Sequence, residues 1–221
     1  MNKKLTLPQT IIITLFCIMM ILAIFNMPQL GIFSIGVSAL FVVIATLSDS
    51  KGIFISIAMV ILGLVLFIKP IYIFDICLNF IIPGIIIGMI TKNVLNHRED
   101  NKYNPIFIGT IAFIIGLIAN YLISKYLFNI NILEEFTSVM KTQLSTQISA
   151  IQESVSSLAS VSNITEESII QTVLNIMPLI LFSRSIMLSI LTYFLAIYTL
   201  KKIRKNDLKE KLMQIKFSRF Y

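Results

Sequence analysis

Charge is scarce in this chain. Of its 221 residues 13% are Asp, Glu, Lys or Arg and 57% are hydrophobic, while histidine occurs once (His97) and cysteine twice (Cys17, Cys77). Each shortage excludes something. Both cysteines lie inside apolar runs with no His or Cys cluster beside them, so neither a disulfide nor a metal site is expected. His97 sits in a polar loop with Arg98, Glu99 and Asp100, and no Ser or Cys nucleophile with a base partner accompanies it. Walker, HExxH and Rossmann signatures are absent as well. The chain is therefore read as no enzyme, with no cofactor and no metal. No small-residue cleavage pattern follows Ile24, Phe25 and Asn26, so the apolar run behind Lys3 and Lys4 is read as a retained helix rather than a removed signal.

What the chain has in abundance is apolar runs. The mean hydropathy is +0.89, and runs extend over Thr10–Phe25, Ile32–Leu47, Ile53–Ile68, Ile71–Thr91, Pro105–Phe128 and the stretch from Val173 to Leu200. The first three are about 16 residues each, at or just below the length that crosses a bilayer. Asn26 to Gly31 is read as a short turn between the first two. The formal charge of +7 would suggest nucleic acid in a soluble protein. Here the basic residues cluster at the ends of the runs, where topology and anionic headgroups account for them, and a nucleic-acid partner is not expected.

One long stretch could not enter lipid. From Leu133 to Leu158 the apolar residues Leu133, Phe136, Met140, Leu144, Ile148, Ile151, Val155 and Leu158 recur at steps of three and four, with Glu134, Glu135, Lys141 and Glu153 among the remainder. That pattern predicts an amphipathic helix on one membrane face. A second helix is announced by Asn163 with Glu166 three residues on, and by Glu166 and Glu167 near its start. The fold class is thus an all-α polytopic membrane protein, with about six transmembrane helices and an extracellular amphipathic hairpin between the fifth and sixth. Residues 1–128 carry the first five helices, 129–177 the hairpin, 178–200 the last helix and 201–221 a basic cytoplasmic tail. Pro178 is the place where the external helix continues into, or kinks before, the spanning one.

Orientation follows from Lys and Arg. With a cytoplasmic N-terminus and six spans, fourteen of the eighteen fall on the inner side, leaving Lys69, Lys125, Lys141 and the intrahelical Arg184 elsewhere. A cell-membrane protein with both termini cytoplasmic is expected. The basic tail anchors to anionic lipid or docks on a partner.

Polar side chains inside the runs mark a candidate ligand site. Asp75 and Arg184 fall at similar depths below the outer surface, and Asn79 lies one turn from Asp75 on the same helix face. Intramembrane charges tend to face one another or water, so these residues, with Asn120 on the fifth helix, are expected to line an outward cavity. The bland alternative is that Arg184 snorkels to headgroups while Asp75 solvates at the interface. Asn120 also serves as an interhelical hydrogen-bonding group, and Pro83, Gly84, Gly88, Gly109 and Gly116 read first as packing positions.

The order of parts carries a resemblance. Phe80-Ile81-Ile82-Pro83-Gly84-Ile85-Ile86-Ile87-Gly88 before a basic loop, Asn131-Ile132-Leu133-Glu134-Glu135 leading into the amphipathic helix, and Met177-Pro178-Leu179 in the last helix together resemble the YybS-like family of predicted bacterial membrane proteins. That family is in turn similar to the substrate-binding S components of energy-coupling-factor (ECF) importers. The resemblance implies six helices, an outward small-molecule pocket, and docking on a transmembrane coupling subunit driven by cytoplasmic ATPases. Two features depart from it. The first helix offers only Ala23 where S components present alanines at four-residue spacing, and the sequence stops at Phe217-Ser218-Arg219-Phe220-Tyr221, where YybS-like chains continue. The resemblance thus implies a solute-binding transport subunit. A competing reading is a membrane scaffold or regulator whose hairpin contacts another protein or forms a homo-oligomer.

If Asp75 and Arg184 pair, Arg184→Ala lowers thermal stability much more in the wild-type background than in Asp75→Ala. Strictly additive losses in that double-mutant cycle would exclude the pair.

Overall fold

In the computed structural model, residues 4–96, 101–154 and 166–203 are described, together with their side chains except those of Pro28, residues 146–154 and Glu166. His97 to Asp100, Val155, Leu158, Asn163 and the tail beyond Ile203 lie outside the described residues. The described residues contain helices and no strand: α1 (Leu7–Asn26), α2 (Ser34–Leu47), α3 (Ser50–Val65), α4 (Pro70–Ile76), α5 (Ile82–Asn96), α6 (Asn104–Leu127), α7 (Ile132–Ser154) and α8 (Glu166–Ile203). Among the described residues five stretches are long and apolar enough to cross a membrane: Leu7–Asn26, Gln29–Leu47, Pro70–Asn96, Asn104–Leu127 and Glu167–Ile203. The sixth apolar helix, α3, has 16 residues. At 1.5 Å per residue it reaches about 24 Å against a hydrocarbon core of about 30 Å.

The second span is longer than its apolar run because the expected turn is itself helical. A 3₁₀ helix, Pro28–Phe33, runs directly into α2. Proline suits that first position, since its fixed φ is helical and its missing N–H is one the helix start does not use. By contrast α3 is terminated by a turn in which the Phe67 and Ile68 N–H groups both return to the Leu64 carbonyl.

The chain forms two compact units, residues 1–120 with 185–221 and residues 121–184. In the first, α2 is the central element. Every residue from Val37 to Ser48 except Leu40 is buried. One side of α2 joins Cys17 and Ile21 of α1, Val60 and Leu64 of α3, and Ile81 and Ile85 in a single cluster. The other side joins Ile87, Phe113, Tyr193, Ala196, Ile197 and Leu200. A helix apolar all round and buried all round is what a bundle centre requires.

Helices in lipid gain little from burying apolar surface against one another, so close packing and hydrogen bonds must hold them. Both occur where α2 meets α5. A Cβ on Gly84 would come to 2.6 Å from the Ser38 carbonyl, and one on Gly88 to 2.6 Å from Ala45 Cβ and 2.7 Å from the Val42 carbonyl. Ser38 Oγ donates to the Phe80 carbonyl at 2.8 Å and Thr46 Oγ1 to the Gly88 carbonyl at 3.2 Å. Between α1 and α3, Thr14 Oγ1 donates to Ser56 Oγ at 2.9 Å, with both residues buried. Apolar side chains left outside form stripes at helical spacing, such as Phe107, Ile111, Ile115, Ile118 and Leu122 on α6. In a membrane protein such stripes contact lipid.

The second unit contains the amphipathic segment. Asn129 adopts φ 53°, a left-handed conformation that asparagine tolerates better than most residues. The following Ile130 N–H closes onto the Ser124 carbonyl at 2.9 Å, ending α6. Glu134 and Glu135 occupy the first turn of α7, the end that favours negative charge. Pro178 lies within α8, which is helical from Glu166 to Ile203.

Replacing Gly88 with Ala is expected to cost about 1–3 kcal/mol by overpacking α2 against α5. Gly31, with nothing within 4 Å of an added Cβ, serves as the control. Thermal unfolding in detergent checks both, and equal behaviour of the two variants would remove the close-packing account.

Candidate functional site

The chemistry of the site begins with Pro83. In the α-helical register its N–H would donate four residues back, to the Asn79 carbonyl, but proline has no N–H and its ring crowds that carbonyl. The helix answers with a π segment, Cys77–Ile81, between α4 and α5, and the Ile82 N–H reaches back five residues to the Cys77 carbonyl. In that wider register the next donor is again Pro83, so the Leu78 carbonyl loses the partner the helix would supply. It lies instead against Gly116 of α6, where any Cβ would run into it.

Widening the helix at 77–81 also sets the side chains. Asn79 Nδ2 donates to Asp75 Oδ1 at 2.6 Å, and Asn120 Nδ2 donates to the same oxygen at 2.7 Å. Asp75 and Asn120 are half-buried, while Asn79 is buried at 7% exposure. One carboxylate oxygen thus takes two amide N–H donors, one from its own helix and one from α6. Because the Asn79 amide nitrogen is committed to Asp75, its carbonyl oxygen is turned elsewhere, and Asn79 Oδ1 is buried with no hydrogen-bond donor. It would lie 3.7 Å from a Cβ on Gly116, and no such Cβ exists. A buried acceptor left without a donor costs free energy that folding alone does not recover.

Of the four residues singled out in the sequence, the structure brings Asp75, Asn79 and Asn120 together. Arg184 is exposed on α8 and falls in the second unit. Gly116 and the Leu78 carbonyl belong to the same place and carried no functional signal in sequence. The signal available was Pro83, four residues after Asn79 and five after Leu78. Gly109 and Gly88 remain packing positions, Gly109 closing on Ser189 and Ile87. Cys17 is a buried free thiol in α1, and Cys77 a half-buried one in the π segment. Among the described residues no group of three His, Cys, Asp or Glu side chains could hold a metal ion.

A separate polar cluster lies where α2 turns into α3, with Lys4 Nζ 3.0 Å from Asp49 Oδ1 and Lys92 Nζ donating to the Ser48 carbonyl at 2.9 Å. The hydrogen bond and charge of Lys4, with a smaller contribution from Lys92, hold the Asp49 carboxyl below its usual range. A depressed carboxyl stabilises the fold above its unfolded pKa and loses that contribution as pH falls through its folded value. Both partners are largely exposed, so the contribution is small.

Over residues 14–221 the chain matches DUF2232, a family described as predicted membrane proteins, and it belongs to that family. No curated protein and no solved structure matches it.

Asn120→Ala is expected to cost about 0.6–1.7 kcal/mol, the range for a hydrogen bond between membrane helices. Asn120→Asp, which sets a second carboxylate against Asp75, is expected to cost more. Thermal unfolding of the two variants at neutral pH checks the order, and the reverse order would show that the amide is not donating to an ionised Asp75.

Proposed function

We propose that this member of the DUF2232 family is a solute-binding subunit of a membrane transport system, similar in arrangement to an ECF S component, and not an enzyme. The observation that supports this reading is the Asp75–Asn79–Asn120 cluster, in which a half-buried carboxylate gathers two amides from different helices and leaves a buried carbonyl unsatisfied. Ionisable groups within membrane spans are costly, and they are commonly retained at substrate or ion pathways. Irregular backbone beside such groups is a recurrent feature of transporter binding sites, because helical breaks free carbonyls for ligands. In this reading the cluster opens to the outer side, Arg184 contributes from α8, both termini are cytoplasmic, and a coupling subunit with ATPases supplies the energy.

A second reading has its own support. On α7, Leu133, Phe136 and Val139 are exposed while Met140 and Leu144 are half-buried. A scaffold or regulator would use that stripe against a partner or a second copy.

Native mass spectrometry of the protein gently extracted with its membrane partners separates the two. Under the transport reading it carries a coupling subunit and ATPases, or a small molecule that Asp75→Ala and Arg184→Ala variants lose. A homodimer abolished by changes at Phe136, Met140 and Leu144, with no small molecule, would replace transport by the scaffold role.

A further inference from the structure

We propose that the turn between α2 and α3, with Lys4, Lys51 and Lys92 around it, binds the phosphate headgroup of an anionic phospholipid whose chains lie along the outer face of α3. This is independent of the transport reading. Three segments bring the lysines to one place. The chain ahead of α1 is tied to the end of α2 by the Leu5 N–H, which donates to the Leu47 carbonyl at 3.1 Å, and this sets Lys4 Nζ 3.0 Å from Asp49 Oδ1. Lys92 reaches over from α5 and donates to the Ser48 carbonyl at 2.9 Å. Lys51 is exposed in the first turn of α3. Against these three cations stands Asp49. In the first unit the only other described acid is Asp75, near the opposite end of the Pro70–Asn96 span and about 25 Å from Lys92 along the helix. The described residues at the turn therefore carry a net positive charge. Lys4 and Lys92 each spend one of three N–H donors there, so donors remain for a further acceptor.

The surface that continues from the turn decides which kind of anion fits. On α3 the exposed residues Lys51, Phe54, Ile61 and Val65 follow one another at steps of three, seven and four, which places them on one helix face. An apolar stripe headed by an ammonium group matches a lipid, with the headgroup at one end and the chains along the rest. A nucleic acid or an acidic protein would answer the charge but not the stripe, and free phosphate has nothing to set against Phe54. The length of α3 agrees. Its 16 residues reach about 24 Å, short of a hydrocarbon core of about 30 Å. A short helix is accommodated by local thinning of the bilayer, which draws the headgroups towards its ends. Basic sites between spanning helices are places where anionic headgroups are recognised, and a zwitterionic lipid would bring its own cation against the lysines.

The test is thermal unfolding of the purified full chain in detergent micelles, titrated with phosphatidylglycerol or with phosphatidylcholine of the same acyl chains. Phosphatidylglycerol is expected to raise the wild-type Tm by several degrees in a saturable manner, as binding to the folded state requires, and phosphatidylcholine to raise it much less. Lys51→Gln, which removes an exposed charge, is expected to move the midpoint of that rise to an about fivefold higher lipid concentration. Lys92→Gln is expected to act in the same direction, and Lys51→Gln serves alone if Lys92→Gln does not fold. Lys69→Gln takes the same charge from beyond the other end of α3 and is expected to leave the midpoint in place. Equal effects of the two lipids would overturn the proposal. Equal shifts from Lys51→Gln and Lys69→Gln would overturn it as well, since a general attraction to anionic micelles would then account for the response. Inorganic phosphate that gives the same rise as phosphatidylglycerol would overturn it too, by showing that the chains play no part.

Discussion

The approach of α2 to α5 at Gly84 and Gly88 is the contact on which the first unit depends. Two helix backbones come together there at a distance that one methyl group on either glycine would forbid, and the hydroxyls of Ser38 and Thr46 bond across the gap to backbone carbonyls of the facing helix. Lipid leaves no hydrophobic driving force between apolar helices, so dispersion and hydrogen bonding at this contact contribute much of what holds α5 in place. Once α5 is fixed against α2, the two clusters on either side of α2 can form around it. The short α3, which does not reach across a full hydrocarbon core by itself, is held by α1 through Thr14 and Ser56.

The same contact governs the candidate site. Ser38 fixes the Phe80 carbonyl inside the π segment, and Gly116 receives the Leu78 carbonyl on the opposite side. The irregular turn is therefore held from two helices, and it cannot relax into a regular one while Pro83 withholds its N–H. What looks like a local defect is over-determined. Asn79 projects from the middle of that turn, which is why its amide can meet Asp75 one turn earlier and still leave an oxygen buried.

Much of this was legible in the residues, for identifiable reasons. The apolar runs announce helices because a continuous apolar run crosses lipid with its backbone satisfied only as a helix, and α1, α6 and the Pro70–Asn96 span fall within a few residues of their runs. The three-and-four spacing from Leu133 onward is the start of α7, and Asn129 is where the chain turns into it. The juxtaposition of Asp75 and Asn79 follows from one helical turn, and Asn120 follows from the scarcity of partners for a polar group in an apolar helix. Other features had no such signal. The 3₁₀ helix at Pro28–Phe33 has the residues of a turn, because Pro and Gly mark both. The π segment was invisible because hydropathy is blind to which carbonyl an N–H selects. Gly116 looked like any other packing glycine, since what distinguishes it is the carbonyl of a different helix lying against it. That information is tertiary.

Position along the helix decides what such a cluster can do. Asp75 lies five residues into the span that begins at Pro70, about 8 Å from its end at 1.5 Å per residue. A charge at the bilayer centre would be far more costly than one at this depth, where water and headgroups still screen it. The observed gradient runs from a half-buried carboxylate to a fully buried carbonyl over a single turn. Ser38, Pro83 and Gly116 fix the spacing of that segment, and so the place of the buried carbonyl relative to the carboxylate.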